Sequence, residues 1–243
     1  LLSFWSLTWA EEFDLIIRHG QVIDGNGNPA FHADIAIKNG RIARIGRVAG
    51  GAKTEIDATG LIVAPGFIDV HTHADEIADQ PRAENFLRMG VTTIVTGNCG
   101  TSRVDVAEFF DAIRRKGVGP NVATLVGQGS VRGQVMGGSF MRPATPAEVD
   151  RMRELVAKAM QDGAVGMSTG LIYLPGTYTK TEELIELAKI AAAGALDYDN
   201  PGKYMSLPKD TKIVFHCKSG VRSLDVAAYF KGHGFTNVWS MRG

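Results

Sequence analysis

From residue 13 to residue 60, apolar and polar positions alternate in short runs. "FDLIIRHGQVID" carries the period-two pattern of a half-buried strand, and "GNGNP" ends it in a turn. "ADIAIKNGRIARIG" is two alternating runs joined at Asn39-Gly40, the strongest short-range hairpin signal. The pattern predicts a small β domain over 13–60. At residue 61 the rhythm changes. "LIVAPGFIDVHTH" reads as an apolar strand with nothing polar until its end, "AENFLRMG" as a helix and "VTTIVTGNCG" as a buried strand. "VDVAEFFDAIRRKG" follows as a helix, "NVATLVGQG" as a strand, and "TPAEVDRMRELVAKAMQDG" as a long amphipathic helix. There Thr145 is the expected N-cap, Pro146 the first helical residue and Glu148 the partner that completes a capping box. "AVGMSTG" reads as a fourth strand and "TKTEELIELAKIAAA" as a helix opening near Thr181. Strands alternating with helices predict an α/β fold with parallel strands and helical crossovers over 61–193. The texture breaks at about residue 194. "GALDYDNPGKYMSLPKDTK" has no period and reads as a linker over 194–212. The remaining residues, 213–243, again read strand ("IVFHC"), helix ("VRSLDVAAYFKGHG"), strand ("FTNVWSMRG").

Composition adds limits. Hydrophobic residues make up 44% of the 243 and charged residues 21%, as in an ordinary globular protein. Lys plus Arg equals Asp plus Glu at 26 each, so the formal net charge is zero. A nucleic-acid partner or an anionic membrane surface would call for a basic excess, and neither is expected. No internal repeat or low-complexity tract interrupts the chain. The two cysteines, Cys99 and Cys217, are too few for a disulfide framework, and each sits where a thiolate has a use. Residues 1–12 open "LLSFWSLTWA", with a small residue, Ala10, as a plausible cleavage site. They read either as the back half of a secretory signal peptide or as an apolar extension packed on the fold. The first reading sends the protein to the periplasm or outside the cell, and the second leaves it in the cytoplasm. The run is too short to span a bilayer.

The chemistry starts at His71 and His73. Two residues apart at a strand end, their imidazoles should share one face. In a parallel barrel that end of the strands holds the active site. Neutral imidazole suits Zn2+, and so does a thiolate from Cys99 at the end of the next strand. Asp69 precedes them and is placed to orient a ligand histidine. A His-x-His alone is only two polar residues at a strand end, so the surroundings decide. "APGFIDVHTH" after a small β unit resembles the opening of the amidohydrolase superfamily. "GVTTIVTGNCG", "LVGQGSVRGQVMG", "RPAT" and "GMSTGLIYLPGTYTKTEELIELAK" narrow the resemblance to the N-acyl-D-amino-acid deacylases, over about residues 13–192.

That resemblance implies a metal-dependent (β/α)8 hydrolase with a small β domain. It implies cleavage of the amide of an N-acyl-D-amino acid, a small-molecule substrate, into a carboxylate and a free D-amino acid. By motif match His71, His73 and Cys99 fall on metal-ligand positions, and Tyr173 in "GLIYLPG" on a position lining the substrate. Bound Zn2+ would acidify a water and polarise the scissile carbonyl. Tyr173 could equally be a tyrosine packed under the barrel rim. Two features depart from the family. Gln128, in a G-x-G-x-x-R motif, stands where relatives often carry His. The family's two further histidines and its general acid/base aspartate should follow residue 192, where this chain carries other sequence. Residues 61–193 suffice for about four strands, against roughly 250 residues for a full barrel. An impaired hydrolase is therefore expected, with an open barrel edge that a second copy of the chain could close as a homodimer.

The other sequence has its own resemblance. "IVFHCKSGVRSLDVAAYFKGHGFTNVWSMRG" resembles the second half of a rhodanese, a sulfurtransferase domain. A strand delivers Cys217 into a tight loop of Lys218, Ser219, Gly220, Val221 and Arg222, and a helix follows. Loop N–H groups and the helix N-terminus would lower the thiol pKa and hold a persulfide anion. Lys218 and Arg222 add positive charge. A tyrosine phosphatase loop would put five residues between Cys and Arg. Only four intervene here, which fits sulfur. The resemblance implies Cys217 as the persulfide carrier between a sulfur donor and acceptor. The chain thus reads as a junction of two partial modules, with three candidate functions. These are a metal-dependent amidohydrolase, a sulfurtransferase, and a folded remnant without catalysis.

Overall fold

The computed structural model describes residues 13–194, 209, 213–217, 228, 230–236 and 238–242. Residues 1–12, and with them the signal-peptide expectation, lie outside the described residues, as do Lys218–Arg222 of the predicted persulfide loop. The chain divides into two compact units, residues 1–67 and 68–243.

The first unit is a sheet. Strand β1 (Phe13–Val22) pairs antiparallel with β2 (Phe31–Lys38), and β2 with β3 (Arg41–Gly46). On its other side β1 pairs parallel with β4 (Ala52–Asp57) and β5 (Ile62–Val63). The predicted hairpin forms at Asn39-Gly40, whose φ values of 52° and 70° are those that the tight mirror-image turns demand. Phe13, Ile16, Ala36 and Val48 make the core. Arg18 ties strand to loop by donating to the carbonyls of Val48 (2.9 Å) and Gly50 (2.8 Å) and to Glu55.

The second unit begins as alternating strand and helix. β6 (Phe67–Asp69) joins β7 (Val91–Thr96), which pairs parallel with β8 (Asn121–Thr124). Only Leu125 separates β8 from β9 (Val126–Gly127), which pairs parallel with β10 (Met167–Ser168). One passage of chain therefore serves β7 first and β10 next. The crossovers carry α1 (Glu84–Arg88), α2 (Val106–Lys116), α3 (Gln128–Met136), α4 (Pro146–Gln161) and α5 (Thr181–Gly194). The capping box is present: the Thr145 side chain accepts from the Glu148 N–H, and the Glu148 carboxylate accepts from the Thr145 N–H at 2.8 Å. Val126, Val131, Met152, Val156, Ala159 and Leu187 are fully buried where α3, α4 and α5 meet β9.

Three element predictions need correction. "LIVAPGFIDVHTH" is not one strand: β5 and β6 flank Pro65, which has no N–H to give a ladder, and Gly66. The strand predicted over "NVATLVGQG" stops at Gly127, and Gln128 opens α3. That helix was hidden by its two internal glycines and lack of an apolar stripe. "AVGMSTG" contributes only Met167–Ser168.

Beyond residue 212, β11 (Ile213–Cys217) pairs parallel with β12 (Val238–Arg242), with Cys217 opposite Arg242 in the register. Phe230 and Phe235 are buried and meet edge to face at 5.0 Å. Among the described residues no helix is long and apolar enough to cross a membrane.

Candidate metal centre

His71 and His73 lie just past β6, and Cys99 just past β7. A period-two face does place the histidines, but through the residue between them. Thr72 is buried, and its N–H and hydroxyl both donate to the Val95 carbonyl, at 3.0 and 2.9 Å. With Thr72 pinned inward on β7, both imidazoles turn outward, edge to face at 5.6 Å. The Ala74 N–H continues the seam by donating to Thr96 Oγ1 at 3.1 Å. Asp69 acts on the backbone and not on a ring: its carboxylate accepts from the His71 N–H at 3.1 Å.

Cys99 reaches the same spot from a tight loop. Its φ is +54°, a left-handed conformation that a non-glycine residue adopts only when neighbours impose it. Asn98 is one such neighbour. Nearly buried, it donates from Nδ2 to the carbonyls of Thr72 (3.2 Å) and Val95 (3.0 Å), tying the cysteine loop to the histidine segment. Gly170 is another. A Cβ there would fall 2.0 Å from the Cys99 carbonyl oxygen, so only glycine lets that loop press against Cys99.

The result is a cluster. One donor atom from each of His71, His73 and Cys99 lies within 4.8 Å of the others, and Cys99 Sγ is 3.4 Å from His71 Nε2. Ligands of a tetrahedral ion stand about 3.5 Å apart, so small ring rotations would bring all three onto one. Two imidazoles and a thiol are the donor set that Zn2+ favours, and the residues present fit that ion. Both histidines are exposed, which leaves the cluster open to a substrate. It is the one metal-capable group of three or more such side chains among the described residues. Asp75, two residues on, is half-buried, and burial pushes its carboxyl above the ordinary value against hydrogen bonds from Thr96 and Gly97.

Tyr173, exposed, lies on the loop after β10 and donates its N–H to the carbonyl of Gly170 at 3.0 Å, closing a turn next to the glycine that packs against Cys99. Gln128 faces inward and is fully buried. Its Nε2 donates to Thr179 Oγ1 and Glu183 Oε1, both at 2.9 Å, joining α3 to the start of α5. Thr72, Asn98 and Gly170 escaped the sequence reading. The "NCG" and "STG" motifs around two of them were the available signal. Cys217 ends β11, and Arg222 lies outside the described residues.

Known proteins resemble this chain in sequence and in fold. The amidohydrolase family profile matches residues 54–210, and that of the rhodanese-like domain residues 185–243. A D-aminoacylase of Alcaligenes xylosoxydans xylosoxydans is 37% identical over 209 residues, covering 76% of this chain and 43% of that protein. An N-acyl-D-glutamate deacylase of the same organism is 39% identical over 211 residues, with the same 76% and 43% coverage. The chain thus spans less than half the length of these relatives. Among solved structures, a D-aminoacylase superposes with a TM-score of 0.71 at 28% identity, covering 93% of this chain and 57% of that one. An N-acyl-D-glutamate deacylase of Bordetella bronchiseptica, solved with zinc and a phosphonate mimic of the tetrahedral intermediate, gives 0.71 at 32% identity, covering 94% and 58%.

Proposed function

Because this chain belongs to the amidohydrolase family, we propose that it is a zinc-binding hydrolase of the N-acyl-D-amino-acid deacylase type, with His71, His73 and Cys99 as metal ligands. The observation that carries the proposal is the convergence of those three donor atoms within 4.8 Å. Bound there, Zn2+ would supply Lewis-acid polarisation of an amide carbonyl and an acidified water. The chain's own residues hold the site and line it. Thr72 and Asn98 fix the histidine and cysteine segments to each other, and Tyr173 borders the substrate. The similarity to deacylases of N-acyl-D-amino acids names the substrate class.

In this reading turnover by these 243 residues is impaired. The two further histidines and the aspartate implied by the family resemblance would follow residue 192, where the chain carries sequence matched by the rhodanese-like domain over residues 185–243. The test is zinc per purified chain for wild type and Cys99→Ala, with release of free D-amino acid assayed alongside. Near-stoichiometric zinc lost in the variant supports the metal reading. Well-folded wild type without zinc refutes it.

A second reading rests on the match of residues 185–243 to a rhodanese-like domain and on the parallel β11–β12 pair that ends in Cys217. It is sulfur transfer through a Cys217 persulfide. Thiosulfate-to-cyanide transfer that disappears in Cys217→Ser supports it, and no transfer by wild type refutes it. Folded protein with neither zinc nor transfer leaves the chain a non-catalytic remnant.

A further inference from the structure

The hydroxyl of Ser168 is committed on both sides of Cys99. Ser168 ends β10, far from Cys99 in sequence, and its Oγ accepts from the Gly100 N–H at 2.9 Å. The same hydroxyl donates its only hydrogen to the Gly97 carbonyl at 2.5 Å. One side chain therefore bridges the two ends of the loop whose middle holds the thiol. That loop is wound the wrong way for an ordinary residue: φ is +78° at Gly97, +54° at Cys99 and +79° at Gly100. The Ser130 N–H adds a bond to the Gly100 carbonyl at 3.0 Å, and the Gly170 backbone presses on Cys99 from the same strand end as Ser168. The clamp and the thiol are thus one construction. If the clamp is lost, Cys99 can relax to negative φ, which swings its Sγ away from the 3.4 Å approach to His71 Nε2.

We infer that Ser168 is a positioning residue for the Cys99 thiolate: its hydroxyl sets the loop conformation in which Cys99 can share a metal ion with His71 and His73. The inference rests on the metal reading above and adds to it a residue that touches neither the ion nor the substrate. Partners that orient ligands typically change metal affinity about 10- to 100-fold when removed.

The test uses the full chain loaded with zinc, and with cobalt to report sulfur ligation by its thiolate-to-metal charge-transfer absorption. Ser168→Ala should weaken zinc binding about 10- to 100-fold in chelator competition and reduce the cobalt–thiolate band. Ser168→Thr, which keeps the hydroxyl, should restore both. Ser168→Val has the shape of the Thr variant without the hydroxyl, and should behave like Ser168→Ala. The Thr–Val pair decides the matter if Ser168→Ala does not fold. A purely structural staple would lower the unfolding midpoint of the variants while leaving the band intact. That result, or zinc affinity within twofold of wild type, overturns the inference and leaves the metal reading standing. A wild-type chain with no cobalt–thiolate band removes Cys99 from the metal set, and this inference falls with it.

Discussion

Glu183→Gln should be among the most destabilising conservative changes available in this chain. Glu183 and Arg132 are both buried, with side-chain exposures of 3% and 0%, and they are ion-paired. The remaining valences of Glu183 go to Gln128, at 2.9 Å. Arg132 Nη2 donates to the carbonyls of Phe140, at 3.2 Å, and Arg142, while its buried Nε has no partner among the described residues. The substitution keeps shape and volume, so no cavity opens. What it changes is charge: a guanidinium sealed from water loses its counter-ion. Breaking a buried pair from one side costs about 3–5 kcal/mol. Domains of this kind hold about 5–15 kcal/mol in total. With a urea dependence of about 2 kcal/mol per molar, the midpoint should fall by about 2 M. Arg132→Met should cost a similar amount by stranding the carboxylate. The decisive comparison is the double variant. Independent effects would sum to about 6–10 kcal/mol, but removing both charges cancels the shared penalty, so the double variant should be no worse than either single one. Urea unfolding followed by circular dichroism closes the cycle. Additive losses, or a Glu183→Gln cost below about 1 kcal/mol, would refute the ion-pair account.

Three smaller predictions follow from local geometry. Asn98→Ala strands the Thr72 carbonyl, while the Val95 carbonyl keeps its two bonds from Thr72, and should cost about 1–3 kcal/mol in urea unfolding, with weaker zinc retention in chelator competition; unchanged retention would mean the histidine segment does not need the tie. Thr145→Ala removes the α4 cap and should cost about 1 kcal/mol by thermal melting. The capping box also sets an acid limb: the Arg142 guanidinium, with the Thr145 N–H, pulls the Glu148 carboxyl from 4.5 to about 2. A depressed folded pKa means that this stabilisation is complete above the unfolded value and fades as pH falls from there through about 2, so melting below about pH 5 should flatten in Glu148→Gln. An unaltered acid limb in that variant would count against the box.

What the sequence made legible was what single segments decide alone. Asn39-Gly40 permits one tight turn, and Thr145, Pro146 and Glu148 leave little choice about where α4 begins. His71, His73 and Cys99 were readable as donors because their residue types are few and their strand-end positions follow from period and length. What stayed hidden needs a partner distant in sequence. Thr72 and Asn98 look like ordinary polar residues until β6 and β7 lie side by side. Ser168 acquires its role only when β10 arrives next to β9. Helix α3 gives no periodic signal, because its burial of Gln128 and Arg132 is compensated by Glu183 more than fifty residues later. The split at Pro65 was written in the sequence, but the apolar run around it outweighed the proline.

The same distinction bears on how much chemistry the chain can support. Every contact described above that holds the three-donor cluster comes from residues 69–101, Ser130 and residues 168–170, over short hydrogen bonds and glycine contacts. None depends on strands beyond β10. Next to β6 and β10 and along the loop after β10, meanwhile, Val70, Val165, Ile172 and Leu174 remain 56–82% exposed, and an apolar wall that is not covered excludes no water. Metal capture and amide hydrolysis are therefore separable here. Capture needs three donors and the seam that aims them. Hydrolysis also needs a proton-transfer group and a desolvated substrate site. Zinc titration should accordingly give a Cys99-dependent site in this chain even where D-amino-acid release is at background. Release at the level of a full-length deacylase would show instead that proton transfer is supplied within these 243 residues, and would make Asp75, beside His73, the first carboxylate to replace.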